Sequence, residues 1–270
     1  MKFKDKVVIV TGATSGIGEA CAVTFGKQGA KIVITGRNQS KLDLSSNLLK
    51  NQGIEVLAIL ADAASEADNQ LVAEKTISHF GRIDVLINNA GISMRALFQD
   101  LDLEVFRKVM ETNFWGTVSL TKFCLPAILK SQGSIIGISS INGFRGTPAR
   151  TAYTASKYAM NGFFESLRTE VMKQGVHILV VAPGFTASNI RNNALTADGH
   201  TQGESPRDEG KMMTAEQVAE EILKATLKRK RDLVLTTQGK LAVFLNKWIP
   251  GYMDGLVYRE MAKEKDSPLK

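Results

Sequence analysis

Residues 7–18 read V-V-I-V-T-G-A-T-S-G-I-G, and the five that follow read E-A-C-A-V. Val7–Val10 is a short apolar run rich in β-branched residues, the pattern of a strand buried on both faces. Glu19–Val23 is helical in character, and Gly12, Gly16 and Gly18 lie between the two. Strand, glycine turn and helix in succession make an anion site, because the first N–H groups of a helix have no intrahelical partner and point outward. Gly12 permits the tight turn, and the other two let backbone approach a pyrophosphate. The spacing G-x-x-x-G-x-G differs from the common G-x-G-x-x-G. Taken alone it fits a dinucleotide site and a glycine-rich βα turn about equally.

The strand–helix rhythm repeats along the chain. A second strand, Lys31–Thr35, ends in Gly36-Arg37-Asn38. In dinucleotide folds an acidic residue here accepts from the adenosine ribose hydroxyls, whereas an arginine holds a 2′-phosphate. No carboxylate stands at positions 35–38, and guanidinium matches phosphate in charge and fork geometry. NADP(H) is therefore expected over NAD(H), the alternative being that Arg37 is a solvated loop charge. Glu55–Leu60 reads as a strand ending in Ala61-Asp62-Ala63, with Asp62 placed either for an adenine amino group or as a turn or cap residue. Ile83–Ile87 reads as another, ending in Asn88-Asn89-Ala90-Gly91. Small residues there admit cofactor, and the asparagines tie strand ends together. Alternating strands and helices imply an α/β fold with a doubly wound parallel sheet, and 270 residues suit a single domain.

Y-T-A-S-K at 153–157 lies thirteen residues after Ser140 and forty after Asn113. Tyr153 and Lys157 are i and i+4, hence on one helix face. A free phenol has a pKa of about 10, and a neighbouring ammonium favours the phenolate. Tyr153 is thereby suited to give a proton to a carbonyl oxygen as hydride reaches the carbon. Ser140, at the end of a strand over Ile135–Ser139, can donate to the same oxygen. Each residue alone has an ordinary structural reading; the four at this spacing make it untenable.

With these motifs in place, the chain resembles the short-chain dehydrogenase/reductase family in its non-extended branch. The matching elements are T-G-A-T-S-G-I-G, N-N-A-G at 88–91, Asn113, Ser140, Y-T-A-S-K and P-G-F-T at 183–186. The resemblance implies a Rossmann-like fold and an NAD(P)(H)-linked carbonyl/alcohol oxidoreductase, with Asn113, Ser140, Tyr153 and Lys157 as the catalytic set. It implies that Lys157 also bonds the nicotinamide ribose and that Asn113 holds a water in a proton relay. It assigns cofactor contacts to Gly12, Thr14, Ser15, Gly16, Ile17, Gly18, Arg37, Asp62, Ala63, Asn89, Ala90, Gly91, Tyr153, Lys157, Pro183, Gly184 and Thr186. The alternative is a catalytically silent dinucleotide-binding regulatory or scaffold protein; the intact four-residue set argues against it. An extended-branch epimerase or dehydratase needs a longer substrate domain.

Residues 187–213 lose apolar periodicity and contain Asp198-Gly199-His200, Gly203 and Pro206, as expected of a mobile substrate lid. Met94, Phe144 and Arg145 join it as substrate-facing candidates. A helix over Glu216–Lys228 and a strand over Asp232–Thr236 complete a dinucleotide-binding and catalytic region spanning 1–237. A basic amphipathic helical tail of the same domain follows at 238–270. Residues 222–270 hold eleven Lys/Arg against five Asp/Glu, most of the net charge of +7. Leu241, Phe244, Leu245, Trp248 and Ile249 form one helical stripe, which Pro250-Gly251 breaks. Packing against the lid or a second subunit is the expectation, and peripheral contact with an anionic membrane is the alternative. Apolar residues in lid and tail favour a hydrophobic carbonyl substrate.

The helices around Asp102–Lys130 and Ala152–Lys173 carry apolar residues Val105, Val109, Phe123, Phe163, Phe164 and Leu167. In the family the corresponding helices pair across subunits, which implies a homodimer, or a tetramer built from it. Cys21 and Cys124 lie in apolar helical patterns, which fits reduced core thiols and a cytoplasmic protein. His79, His177 and His200 show no metal-ligand spacing, so no metal is expected. The basic run Lys228–Arg231 is too short to argue nucleic-acid binding. Met1–Lys4 before Val7–Val10 only faintly imitates a signal peptide, and no apolar run approaches the roughly 18 residues of a membrane span.

Overall fold

The structure, a computed structural model, describes residues 1–186, 190–205, 210 and 212–270. Seven strands form one parallel sheet: β1 Val7–Val10, β2 Lys31–Gly36, β3 Val56–Leu60, β4 Val85–Asn88, β5 Ser134–Ile138, β6 His177–Ala182 and β7 Asp232–Val234. Their order is β3-β2-β1-β4-β5-β6-β7. The direction of winding therefore reverses between β1 and β4, and in such sheets ligands bind beyond the strand ends at that crevice. The sheet agrees with the expectation from the sequence, with small shifts at strand ends. β4 starts at Val85, just after Asp84, whose carboxylate accepts from Lys6 Nζ (3.0 Å), Arg82 Nη2 (2.6 Å) and the Val7 N–H (3.0 Å).

Strand residues alternate between two cores, as the two-residue side-chain period requires. Val8, Val10, Ile32, Ile34 and Ile87 face α1 (Gly16–Gly26), α2 (Gln39–Asn51) and α7 (Ala215–Leu227). Val7, Ile9, Val33, Leu86 and Ile135 face α3 (Glu66–Phe80), α5 (Gly116–Ser131) and α6 (Thr151–Val171). Gly137 of β5 lies under Phe164 of α6, where an added Cβ would stand 2.1 Å from the ring. That close approach presses α6, the carrier of Tyr153 and Lys157, onto the sheet.

Helix α4 (Leu103–Met110) runs into α5 through a π-helical turn over Glu111–Trp115. Of the apolar residues linked to assembly, Val105, Val109, Phe164 and Leu167 are buried within the chain, and Phe123 and Phe163 pack against the second core. Most of that stripe covers this chain's own sheet; Trp115 remains 52% exposed beside Phe114, whose ring also meets Phe163.

The lid reading falls partly on residues 187–189, 206–209 and 211, which lie outside the described residues. The described part is anchored: Leu195 bridges to Met94 and to Thr201, and Ala194 and Leu195 are buried. Leu195 joins a small core with Met94, Ala96, Leu101 and Val105. Residues 190–205 thus carry a packed cluster too short to show helical periodicity in the sequence.

The tail forms α8 (Thr237–Trp248) and α9 (Pro250–Ala262). Met253 and Met261 are buried, but Leu241, Phe244, Trp248, Ile249 and Tyr252 are exposed. Most of the stripe read from the sequence therefore points away from this chain, while its members Leu241 and Leu245 line the cavity beside Leu256 and Val257. No helix among the described residues is long and apolar enough to cross a membrane.

Candidate active site

A cavity of about 1120 Å³ opens beyond the C-terminal ends of β1, β4 and β5 and runs from the glycine turn to the tail. At one end the chain leaves β1 through Gly12, with φ of 60°, and reaches Gly16, with φ of 57°, the left-handed region that glycine adopts without steric cost. Ser15 caps α1 without a side-chain hydrogen bond, so the helix N-terminus presents its N–H groups to the cavity. Thr14, Ser15, Gly16 and Ile17 line this end. Gly18 does not. A Cβ there would meet Asn89 Nδ2 and the Gly12 carbonyl at 2.5 Å, so the glycine permits close helix–strand packing. The donor-rich cradle fits a pyrophosphate, and no metal cluster accompanies it among the described residues.

The turn is held by β4. Thr11 Oγ1 accepts from the N–H groups of Asn89 (2.9 Å) and Ala90 (2.8 Å), and Asn89 Nδ2 donates to the Thr11 carbonyl (2.8 Å). Asn88 Nδ2 donates to Thr121 Oγ1 (3.1 Å). Asn89 thus ties strand ends together, as the sequence suggested, whereas Asn88 ties β4 to helix α5; the clamping hydroxyl of Thr11 did not stand out there.

Arg37, Asp62 and Ala63 line the cavity beside β2 and β3, joined by Lys41 from the first turn of α2. A Cβ on Gly36 would stand 2.6 Å from Thr14 Cγ2, so a side chain at position 36 requires that methyl to move. Asp62 Oδ1 accepts from the Ala64 N–H (3.0 Å), a turn bond that leaves its other oxygen free of backbone. Lys41 was missed because a lysine on an amphipathic helix carries no local signal.

Ala90, Gly91, Ser140, Tyr153, Lys157, Pro183, Gly184 and Thr186 all line the same cavity. Lys157 is 3% exposed; its Nζ donates to the Ile138 carbonyl (2.8 Å) and lies 5.6 Å from the Tyr153 ring centroid. Burial pulls its pKa down to about 8. Burial likewise pushes the Tyr153 phenol up; a hydrogen bond with Ser140 and the charges of Arg150 and Arg191 pull the other way without overcoming it. The sequence reading, in which the ammonium lowers the phenol, is thus reversed in net direction, because both groups share one desolvated pocket. Ser139, the neighbouring serine, is buried with its hydroxyl on the Lys157 carbonyl (3.5 Å).

Asn113 is fully buried in the π-turn, outside the cavity lining. Its Oδ1 accepts from the Ile92 N–H (2.8 Å), and its Nδ2 donates to the Ile92 carbonyl (2.9 Å) and to Ser156 Oγ (2.9 Å). Ser156 Oγ donates to the Tyr153 carbonyl (2.7 Å). The wider π-turn brings the amide between the β4 loop and α6, joining cofactor side to acid side. Of the other substrate-facing candidates, Met94 is fully buried core and Phe144 accepts from Asn246 Nδ2 (2.9 Å) through its carbonyl. Arg145 lines the cavity while bonding Asn246 (3.1 Å) and Asp254 (2.6 Å), which fastens α8 and α9 to it.

Residues 6–199 match the family model described as short chain dehydrogenase. The chain is 38% identical over 271 residues to dehydrogenase/reductase SDR family member 7B of Mus musculus, spanning 98% of this chain and 84% of that protein. It is 35% identical over 264 residues to dehydrogenase/reductase SDR family protein 7-like of Dictyostelium discoideum, spanning 95% and 82%. A crystal structure of a short chain dehydrogenase/reductase from Burkholderia phymatum in complex with NAD superposes with a TM-score of 0.83 at 22% identity, over 93% of this chain and 96% of that one.

The buried amine has a consequence for stability. Below pH 8 Lys157 is charged in both folded and unfolded chains, and the full penalty of burying it, on the order of 3 kcal/mol for a shift from 10.5 to about 8, is present. Between the two values the unfolded chain binds more protons, so stability rises with pH; above 10.5 both states are neutral. Lys157→Met is therefore expected to be more stable than wild type at pH 7, with the advantage shrinking from pH 8 to 10.5. Urea denaturation at several pH values reads this, and a difference that does not vary with pH contradicts it.

Proposed function

Because the chain belongs to the short-chain dehydrogenase family, we propose that it is an NADP(H)-dependent oxidoreductase that interconverts a ketone or aldehyde with an alcohol. The observation that carries the reading is the Tyr153 hydroxyl, hydrogen-bonded to Ser140 on the wall of a cavity whose far end is an anion-binding glycine turn.

When bound, the dinucleotide supplies or takes the hydride. Tyr153 gives the proton to the carbonyl oxygen, and burial keeps its phenol protonated at neutral pH for that step. Ser140 donates to the same oxygen and orients it. Lys157, charged at pH 7, favours the phenolate left behind and is placed to bond the nicotinamide ribose. Asn113 serves this set from behind, fixing Ile92 and Ser156, with a lone pair of Oδ1 available to a relay water. A silent scaffold would have no use for a costly buried ammonium; its retention supports catalysis.

NADP(H) is favoured because Arg37 and Lys41 line the cavity and form no ion pair among the described residues, and because no carboxylate stands at positions 35–38. The apolar inner face of the tail, Leu245, Leu256 and Val257, supports a hydrophobic carbonyl substrate. Trp115, exposed in the π-turn that leads into α5, supports a symmetric homodimer through the outer faces of α5 and α6. The outward stripe of α8 with Lys240 and Lys247 beside it supports peripheral contact with an anionic membrane.

With a panel of aliphatic and aromatic ketones, wild type is expected to oxidise NADPH, and Tyr153→Phe to lower kcat by about 10²–10⁴ with NADPH affinity retained. Near wild-type turnover by that variant rejects the acid. Arg37→Asp should weaken NADPH binding about tenfold or more and spare NADH, as loss of a charge-assisted bond implies; wild type binding NADH as tightly as NADPH overturns the cofactor assignment. Light scattering is expected to give twice the mass of 29.4 kDa, and Trp248→Ser to reduce co-sedimentation with anionic vesicles. A monomer, or vesicle binding unchanged by that substitution, rejects the respective contact.

A further inference from the structure

Three charged side chains that the catalytic set does not use are buried together at the cavity wall. Glu264, just beyond α9, sends Oε2 to 3.5 Å from Arg95 Nη2 and 4.0 Å from Arg150 Nη2. The side chains are 5%, 9% and 10% exposed, respectively. They come from three separate parts of the chain: the tail, the loop between β4 and α4, and the entrance to α6.

Each of the arginines is committed to its surroundings. The Arg95 N–H donates to the Leu195 carbonyl (2.8 Å) and its Nη2 to the Lys265 carbonyl (2.7 Å), so it joins the tail to the packed 190–205 segment. Lys265 reinforces that link through Glu204 (3.1 Å). Arg150 is the N-cap residue of α6, three residues before Tyr153. Its neighbour Ala149 is buried with φ of 57°, a left-handed conformation that costs a residue with a Cβ energy and persists only where the surroundings impose it. The Ala149 carbonyl accepts from the Ala96 N–H (3.2 Å) and from Arg150 Nη1 (3.2 Å). The helix entrance is therefore held in a strained turn by Arg150 and by the residue after Arg95, and both guanidiniums face the Glu264 carboxylate.

We propose that Glu264 is a positioning residue for Tyr153: carried in by the tail, its carboxylate fixes Arg150 and Arg95, and so fixes the strained turn from which α6 and its tyrosine project. The inference rests on the reading of Tyr153 as the acid. The charged groups facing Tyr153 are Lys157, Arg150 and Arg191. Among the described residues Arg95 and Arg150 face Glu264, while Glu260, Lys263 and Lys265 on its own segment are exposed. Removing the carboxylate takes away a negative charge that the two buried guanidiniums share. They repel one another, which loosens the turn, and Arg150 then acts more strongly in favour of the phenolate.

The test uses the full chain loaded with NADPH and the variants E264Q and E264D. E264Q is expected to keep NADPH affinity within about twofold and to lose about tenfold or more in kcat, because the effect falls on chemistry and not on cofactor binding. In carbonyl reduction the alkaline limb of its kcat profile should move to lower pH, since a more acidic phenol loses its proton earlier. Backbone amides at 152–154 should exchange faster, and E264D should recover most of each property. A folded E264Q protein with wild-type kcat and an unmoved limb overturns the proposal, even if amides at 263–270 exchange faster, because Glu264 would then be only a tail clamp. If wild type reduces no ketone, or Tyr153→Phe is fully active, the function reading fails. Exchange at 152–154 then decides whether Glu264 positions the turn, with unchanged exchange overturning it.

Discussion

One buried amine organises this molecule. Lys157 Nζ has the Ile138 carbonyl as its hydrogen-bond acceptor at 2.8 Å, with the Met160 sulfur at 3.6 Å. A buried ammonium with so few acceptors is unfavourable, and the surrounding geometry concentrates on keeping it in place. Phe164 fills the space above Gly137 and presses α6 to the sheet. The end of β5 turns its last carbonyl toward the amine. Gly91, lacking a side chain, lets the β4 loop pass close to Asn113, since a Cβ there would stand 3.2 Å from Oδ1. Asn113 bonds that loop and Ser156 at once. The cofactor end and the acid end of the cavity thereby become one rigid piece.

The sheet was legible because strands buried on both faces leave runs such as V-V-I-V, and because glycine and small residues mark strand ends. The polar set was legible as spacing: Ser140, Tyr153 and Lys157 converge as their intervals implied. Interactions that depend on tertiary placement were not legible. The acidity of Tyr153 follows burial shared with Lys157, and burial is invisible in a four-residue interval. Gly18 reads as a ligand contact by its place in the motif, and the close packing of α1 against Asn89 that it permits shows only in the fold. The stripe Leu241–Ile249 satisfied helical periodicity, which says that a face is apolar and not which way it points. In the fold its member Leu245 lines the cavity, while Phe244 and Trp248 point to solvent. Val105 and Val109 suggested assembly, yet they complete a small internal core around Met94.

The tail links these themes. It closes the substrate end of the cavity with Leu256 and Val257, and it is fastened at two polar points, Arg145 with Asp254 and Glu264 with the two arginines. Charges of opposite sign from distant parts of the chain meet where the catalytic helix begins. Nothing in the local sequence of Met261–Asp266 signals a partner at position 95 or 150, since the pairing exists only once α9 has packed.

The most direct measurement is the titration of Lys157 by NMR, with ¹³C-labelled lysine and the Lys157→Met variant to assign its Cε resonance, in free protein and with NADPH. The arrangement described requires a value of about 8 in the free protein and a resonance that responds when NADPH binds. An ordinary lysine value near 10.5, unmoved by NADPH, would mean that the amine is neither buried nor part of the cofactor site, and the account would fail at its centre.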